Sequence, residues 1–569
     1  MTPLPAPPAG GWPWEKVYPG GRLPDPGALS LFPIQSILED GASDHPGRTA
    51  LEFRGRAITF GELDRMAVEA AAGLARAGVR KGDRVAVLLP NTPAHPVSFF
   101  GLMKTGAVVV HLSPLDAPAV LAHKLTDSGA RILVTTNFGA LATGAALLAE
   151  KGLVDRVVVF DDAAWGPSGD TGAMPAGPAI TTYDDFIAGA GDPPEVATDI
   201  DDLALLQYTG GTTGMPKAAM LTHRNISGAV SSYTAWYDIW GLTRPEGESV
   251  LVYLPLFHIY GLSAVLLRSL KGGNTCLLRT RFDPVAALDE IEAGANVLPG
   301  VPTMWIAMTQ TPGFEKRDLS ALTLAASGGA PMPVEVAHRF TSKTGLELLG
   351  GWGMSETSPA GTNLPRGWPQ KAGTIGIPLP GCFLRVVDLS DPARELPQGE
   401  TGELAIRGNN VTSGYWNRPE ETQASFADGW FLTGDIGFMD EDGFFTIVDR
   451  KKDMIISGGF NVYPQMIEQA IYTHPDVEEA LVIGVPDGYR GESAKAYVKL
   501  REGAPDLTLE VLQAHLKERL GPHEMPRALE IRDALPRTPV GKLSKIDLKR
   551  EAAAQARAAL NDPKGENHG

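Results

Sequence analysis

The chain has 569 residues, of which 43% are apolar and 21% charged, proportions of a folded globular protein and not of a disordered chain, a coiled coil or a membrane-spanning bundle. Its length allows about four domain-sized units, or one large multi-lobed body with a smaller attachment. The 50 Lys and Arg stand against 67 Asp and Glu for a net charge of -17; this argues against a broad nucleic-acid footprint, so a bound anion has to be met by local cations and backbone N–H groups.

Residues 1–30 carry Pro3, Pro5, Pro7, Pro8, Gly10 and Gly11 and read as an extended tether. They lack the basic stretch and following apolar stretch of a signal peptide. Thr59 and Glu62 are spaced as a capping box, and Leu63, Met66, Ala67, Ala70, Ala71, Leu74 and Ala75 then recur at helical spacing until Gly78. Short β-branched runs at 85–89, 107–110, 132–134 and 157–160 alternate with helical stretches. That is the pattern of an α/β fold with parallel strands buried on both faces. The apolar stretch 99–112 is broken by Lys104, Gly106 and His111, and no run reaches the roughly 18–20 residues of a membrane span. Residues 162–194, rich in Gly, Ala and Pro, read as a surface excursion.

After Val448 comes the charged run Asp449-Arg450-Lys451-Lys452-Asp453, then a small α+β unit. It holds a helix from Pro464 through Ile467 and Ile471, strands at 480–485 and 494–500, a helix bearing Leu512, Leu516 and Leu520, and a last strand at 528–531. The expected organisation is a large N-terminal domain, 1–451, and a small C-terminal domain, 452–569. Cys276 and Cys382 lie far apart in sequence and form no disulfide framework, which fits a cytosolic protein.

The densest chemical signal is Tyr208-Thr209-Gly210-Gly211-Thr212-Thr213-Gly214-Met215-Pro216-Lys217. Glycines free the backbone to wrap an anion, threonine hydroxyls add donors, and Lys217 adds charge. No Gly-Lys-Ser/Thr closes the loop as in a Walker A motif. Near the other end, the segment 535–550 holds Arg537, Lys542, Lys545, Lys549 and Arg550 against Asp547 alone, a basic tail on an acidic chain. Lys542, after Gly541, is placed on a tight loop; Lys545 and Lys549 read as a solvated helix face.

The Gly/Thr loop resembles the phosphate loop of the adenylate-forming superfamily of acyl-CoA synthetases, luciferases and adenylation domains. The resemblance continues in order along most of the chain. It runs through Leu254-Pro255-Leu256-Phe257-His258, Ser327-Gly328-Gly329-Ala330-Pro331 and Gly351-Trp352-Gly353-Met354-Ser355-Glu356-Thr357. It resumes at Gly402-Glu403-Leu404, Gly414-Tyr415-Trp416, Trp430-Phe431-Leu432-Thr433-Gly434-Asp435, Asp449-Arg450, Ser457-Gly458-Gly459 and Pro536-Arg537-Thr538-Pro539-Val540-Gly541-Lys542.

This resemblance implies an α/β fold whose small C-terminal domain rotates on a hinge at Lys452 between adenylation and thioester formation. It implies ATP contacts from Thr209, Gly210, Gly211, Thr212, Thr213, Gly214 and Lys217, and from Gly328, Gly329 and Ala330 on the adenine side. Gly351, Trp352, Gly353, Met354 and Ser355 belong to the same site, with Trp352 where the family usually has Tyr. Asp435 and Arg450 are implied at the ribose, Thr212 and Glu356 at Mg²⁺, and Lys542, Glu356 and His258 as catalytic groups. Phe257 and His258, with Tyr260 beside them, are implied at the acyl pocket, and Gly458 and Gly459 at the CoA channel; Trp236, at helical spacing from Tyr233, Tyr237 and Trp240, reads either as a further wall of that pocket or, in preference, as plain core.

No carboxylate follows Phe257 to pair an amino-acid ammonium, and no carrier domain is expected after Lys542; both disfavour a peptide-synthetase module. Thr209-Gly210-Gly211 resembles the bacterial fatty acyl-CoA ligase subgroup. The expected reaction is activation of a medium- or long-chain fatty acid with ATP, Mg²⁺ and CoA. The alternatives are an aryl- or dicarboxyl-CoA ligase, with Arg268 as the cation for a second carboxylate, and a luciferase-like oxidase using O₂. Partners are expected to be small molecules and not nucleic acid. A homodimer and peripheral contact of the cytosolic protein with a membrane stay open.

Overall fold

Thr59 opens the helix Phe60–Arg76: its hydroxyl accepts from the Glu62 amide, and the Glu62 carboxylate accepts from the Thr59 amide. Leu63, Ala67, Ala70, Ala71 and Leu74 face inward, as their spacing predicts. The computed structural model describes residues 4–8, 10–209, 215–330, 332–368, 371, 373–458, 460–487, 489–537 and 543–561, the last six by backbone alone. The chain divides into two units. The first takes Met1–Leu384, Ile406–Phe431 and Glu441–Phe444; the second takes Arg385–Ala405, Leu432–Asp440 and Phe445–Gly569.

The first unit holds a seven-stranded sheet in the order Ile180–Thr182, Arg156–Phe160, Ile132–Thr136, Arg84–Val87, Val108–His111, Leu203–Thr209, Lys217–Thr222. All neighbours run parallel except the last pair. Val108, Val110, Leu133, Val157, Val159 and Leu206 pack in one core on this sheet, so the β-branched runs are strands buried by covering helices. The segment 162–194, expected as a surface excursion, instead supplies the edge strand Ile180–Thr182 and the helix Tyr183–Ile187, which buries Phe186. A second sheet in the same unit orders Thr275–Leu278, Ser249–Val252, Val297–Gly300, Leu324–Ser327 and Leu348–Trp352, all parallel.

The N-terminal segment is docked where a tether was expected. Trp14, Val17 and Tyr18 are buried, Trp12 stacks on Trp14, and the Tyr18 hydroxyl donates to the Pro378 carbonyl at 2.6 Å. Proline and glycine composition hid this, because a few large aromatics suffice to bury such a segment.

In the second unit the hairpin Val477–Asp487/Gly491–Leu500 carries two cores. Ala480 and Val482 face the helix Pro464–Tyr472 together with Leu512 and Leu516; Leu481 and Ile483 face Leu535, Leu548 and Ala552. The alternation follows from the two-residue period of a strand. Among the described residues no helix is long and apolar enough to cross a membrane.

One ion pair lies buried in the first unit. Arg268 donates to Glu248 at 2.8 Å with both side chains buried, and its guanidinium lies 4.5 Å from the Tyr237 ring centre. Removing one partner of such a pair strands the other charge in a medium that solvates it poorly, at about 3–5 kcal/mol. Glu248→Ala is therefore expected to lower stability by about that amount, read as a fall in the urea midpoint, whereas an exposed control such as Glu395→Ala should leave it in place.

Candidate active site

The strands Leu203–Thr209 and Lys217–Thr222 form an antiparallel hairpin in which Thr209 pairs with Lys217. The Thr209 hydroxyl donates to the Lys217 carbonyl at 3.3 Å. The predicted loop thus joins two registered strands, so both of its ends are fixed. Gly210, Gly211, Thr212, Thr213 and Gly214 lie outside the described residues, as do Gly459 and Lys542.

Lys217 is the cation at the foot of the hairpin. Its Nζ lies 3.0 Å from Glu421 Oε2 and 3.7 Å from the centre of the Tyr415 ring. Tyr415 belongs to a segment laid along the strand Lys217–Thr222: the Trp416 amide donates to Ala218, the Met220 amide to Gly414, and Tyr415 bridges to Ala219. Gly414 adopts φ 138°, and a Cβ there would meet the Thr422 methyl at 2.2 Å. The Tyr415 hydroxyl donates to Glu356 Oε1 at 2.8 Å. Burial first, and the Glu356 charge next, push the Tyr415 phenol well above its ordinary range, so it stays a donor. Glu356 itself is buried on the turn Ser355–Thr357, its carbonyl held by the Thr412 amide at 2.7 Å.

The glycines of the 351–357 motif have a packing reason. A Cβ on Gly353 would stand 1.3 Å from the Pro359 carbonyl oxygen, so only glycine lets the chain fold back there. Trp352 ends the strand Leu348–Trp352 with Thr362 opposite it. The adenine-side and acyl-side predictions meet at one point: Tyr260 packs on Gly328, where an added Cβ would lie 2.9 Å from its ring. Gly329, at φ 80°, and Ala330 are exposed beside them.

Phe257 and His258 are half-buried, with the His258 Nδ1 accepting from the Tyr260 amide at 3.3 Å. Asn91 clamps this loop, donating to Val252 and Leu254 and accepting from the Leu256 amide at 2.9 Å. Gln207, two residues before Thr209, donates to the Phe257 carbonyl at 3.1 Å and faces His111 Nδ1 with its oxygen at 3.1 Å. Burial pushes His111 down to about 4, so the imidazole is neutral and donates from Nδ1. Trp236 is fully buried, with its ring edge-on to Tyr18 at 5.9 Å and 5.4 Å from Trp240.

In the second unit Asp435 is buried, pairs in register with Arg450, and receives its guanidinium at 2.9 Å. Glu403 accepts from the Gly434 amide at 3.0 Å and from Lys451 at 2.8 Å. Thr433, Gly434, Arg450, Lys451 and Lys452 line a pocket of 330 Å³. Burial, then Arg450, hold the Lys452 ammonium below the usual lysine range. Gly458, at φ 59°, donates its amide to the Arg490 carbonyl at 2.8 Å, and a Cβ there would lie 4.0 Å from the Arg490 guanidinium.

Lys545 and Lys549 are not a solvated face. Lys545 pairs with Glu468 at 2.9 Å, both largely buried, and Lys549 reaches Asp453 at 2.6 Å and the Lys452 carbonyl at 3.2 Å. Burial pushes the Glu468 carboxyl up to about 6 against the pull of Lys545.

Lys217 at the foot of the hairpin and the buried Glu356 are thus joined through one residue, Tyr415. The sequence profile of the AMP-binding enzyme family matches residues 38–416, and that of the AMP-binding enzyme C-terminal domain matches residues 466–542. The chain belongs to the AMP-binding enzyme family. It is 39% identical over 549 residues to the long-chain-fatty-acid–CoA ligase of Bacillus subtilis, covering 93% of this chain and 96% of that one. It is 40% identical over 508 residues to a feruloyl-CoA synthase of Amycolatopsis, covering 89% and 96%. Among solved structures, ATP-bound MatB from Rhodopseudomonas palustris superimposes with a TM-score of 0.81 at 32% identity, covering 92% of this chain and 99% of that one.

Tyr415, Glu421, Glu403, Asn91 and Gln207 had no role assigned from sequence. Two of them sit inside quoted motifs, Gly414-Tyr415-Trp416 and Gly402-Glu403-Leu404, which was the available signal. Glu421 pairs with Lys217 at 3.0 Å, so its carboxylate competes with any other anion for that ammonium. Such half-exposed pairs contribute about 0.2–1 kcal/mol, so Glu421→Gln is expected to tighten ATP binding by up to about five-fold, measured by calorimetry. Weaker binding in that variant would make Glu421 part of the nucleotide site.

Proposed function

We propose that this enzyme activates a fatty acid with ATP as its acyl-adenylate, releasing pyrophosphate, and then transfers the acyl group to CoA, releasing AMP. The observation that carries this reading is the end-to-end likeness to a long-chain-fatty-acid–CoA ligase. A carboxylate has to approach the α-phosphorus of ATP, so neutralising two anions is the main task. Lys217 supplies charge at the loop, Asp435 accepts from the ribose hydroxyls, and Arg450 orients Asp435 through their ion pair. Lys542, on its Gly-led loop, delivers the ammonium that bridges the carboxylate and the α-phosphate during adenylation.

The donor chemistry suits Mg²⁺. Glu356 is a buried hard-oxygen ligand, and a Mg²⁺ site typically needs only one or two carboxylates plus substrate phosphates. Glu356 and the hydroxyl of Thr212 would hold the ion, which neutralises phosphate charge when bound. Among the described residues no group of three or more His, Cys, Asp or Glu forms an all-protein cage, which suits an ion shared with ATP.

On the acyl side, the Tyr260 ring packs on Gly328, and Tyr260 and Phe257 are the residues proposed to meet the acyl chain. Arg268 is neutralised by Glu248, which removes the guanidinium that a dicarboxylate reading needed. An aryl acid remains the second reading, favoured by the likeness to a feruloyl-CoA synthase. We place the enzyme in the cytosol, with the domain boundary and pivot at Lys452 and the pantetheine arm passing Gly458 and Gly459.

The test is a pyrophosphate-release screen over acids of increasing length and over cinnamic acids, with CoA present. Each buried methylene contributes about 0.8 kcal/mol, so the rate at low substrate is expected to rise several-fold per two carbons until the passage ends. A preference for cinnamic acids over alkyl acids would promote the aryl reading. In the same assay Lys542→Ala is expected to lower adenylation about a hundred- to a thousand-fold while thioester formation from pre-made acyl-adenylate survives. Equal loss in both steps would remove Lys542 from the adenylation chemistry.

A further inference from the structure

Resting on the reading above, we infer that Tyr415 is a positioning residue that couples the metal-binding carboxylate to the phosphate-loop lysine. Its two ends do different work. The hydroxyl donates to Glu356 Oε1 at 2.8 Å, and the ring lies 3.7 Å from the Lys217 ammonium. Its backbone is fixed from two directions. It bridges to Ala219 on the strand that begins with Lys217, and its amide donates to Thr422 Oγ1 at 2.9 Å. In the alternating pattern of that strand Lys217 and Ala219 share a face, which puts Tyr415 diagonally across from Lys217.

The arrangement has a chemical logic. The phenol of Tyr415 holds the Lys217 ammonium by its π face, beside the ion pair that the ammonium makes with Glu421. Its hydroxyl satisfies one Glu356 oxygen by a hydrogen bond, which fixes the plane of that carboxylate. Partners of this kind behind a metal ligand typically alter metal affinity or activity by about 10- to 100-fold when removed.

Two substitutions separate the two ends. Tyr415→Phe keeps the ring and removes only the hydroxyl; Tyr415→Leu removes both contacts. Equilibrium binding of ATP is measured by calorimetry with Mg²⁺ and again with the metal chelated, beside the Mg²⁺ concentration for half-maximal pyrophosphate release. For Tyr415→Phe the expected result is about 10-fold weaker binding with Mg²⁺, a matching rise in the Mg²⁺ requirement, and metal-free ATP binding within about two-fold of the parent. For Tyr415→Leu, metal-free ATP binding weakens as well. In a Glu356→Gln background, Tyr415→Phe should add little, because its target is gone.

The inference is overturned if Tyr415→Phe binds ATP like the parent under both conditions, if it loses affinity equally with and without Mg²⁺, or if loss of the hydroxyl prevents folding. If the parent itself releases no pyrophosphate with any acid, it is the functional reading that falls, and the two failures are told apart.

Discussion

The structure beside the Gly/Thr hairpin rests on one residue, Tyr415, that contacts a cation by its ring and an anion by its hydroxyl. Lys217 is parked on Glu421 and on the face of Tyr415, and Glu356 is buried behind the same residue's hydroxyl. The segment carrying Tyr415 is laid along the strand that carries Lys217, and Gly414 is needed because Thr422 leaves no room for a side chain. The Asp435–Arg450 pair in the second unit follows a different rule. There the carboxylate is buried and its guanidinium partner half-exposed, so the guanidinium is what keeps the buried charge compensated.

Backbone economy connects the phosphate side to the acyl side. One strand, Leu203–Thr209, ends at the Gly/Thr loop and, through Gln207, also holds the Phe257 carbonyl. Asn91 fixes the other end of the same acyl-side loop by three bonds to main-chain atoms. A side-chain amide satisfied on both of its ends is rigid in a way that a hydrophobic contact is not. The acyl-side loop is thus positioned against the loop strand by hydrogen bonds that leave its apolar side chains available.

The sequence displayed whatever is periodic or local. The capping box at Thr59, the β-branched runs and the two-faced hairpin were readable because each is written within a few residues. The ordered motifs gave the family. What stayed hidden depends on partners far along the chain. Tyr415 meets a carboxylate 59 residues before it, and Lys217 an acid 204 residues after it. Lys545 and Lys549 carry the spacing of an exposed helix face, yet the helices and turns packed against them supply Glu468 and Asp453. The aromatic anchors Trp14 and Tyr18 were masked by surrounding prolines and glycines.

The carboxylate of Asp449 staples the chain on both sides of the proposed pivot. It is buried, which pushes its proton affinity up, and it accepts from the Arg450 amide and from the Gln465 amide at the start of the helix Pro464–Tyr472. Those last two partners lie on either side of Lys452, and Lys549 holds the Lys452 carbonyl besides. A pivot at Lys452 would strain or break a staple that spans it, so swinging becomes an activated event with its own temperature coefficient. Turnover would then be paced by the opening of a few polar contacts, and cooling would slow the swing more steeply than diffusion of substrates.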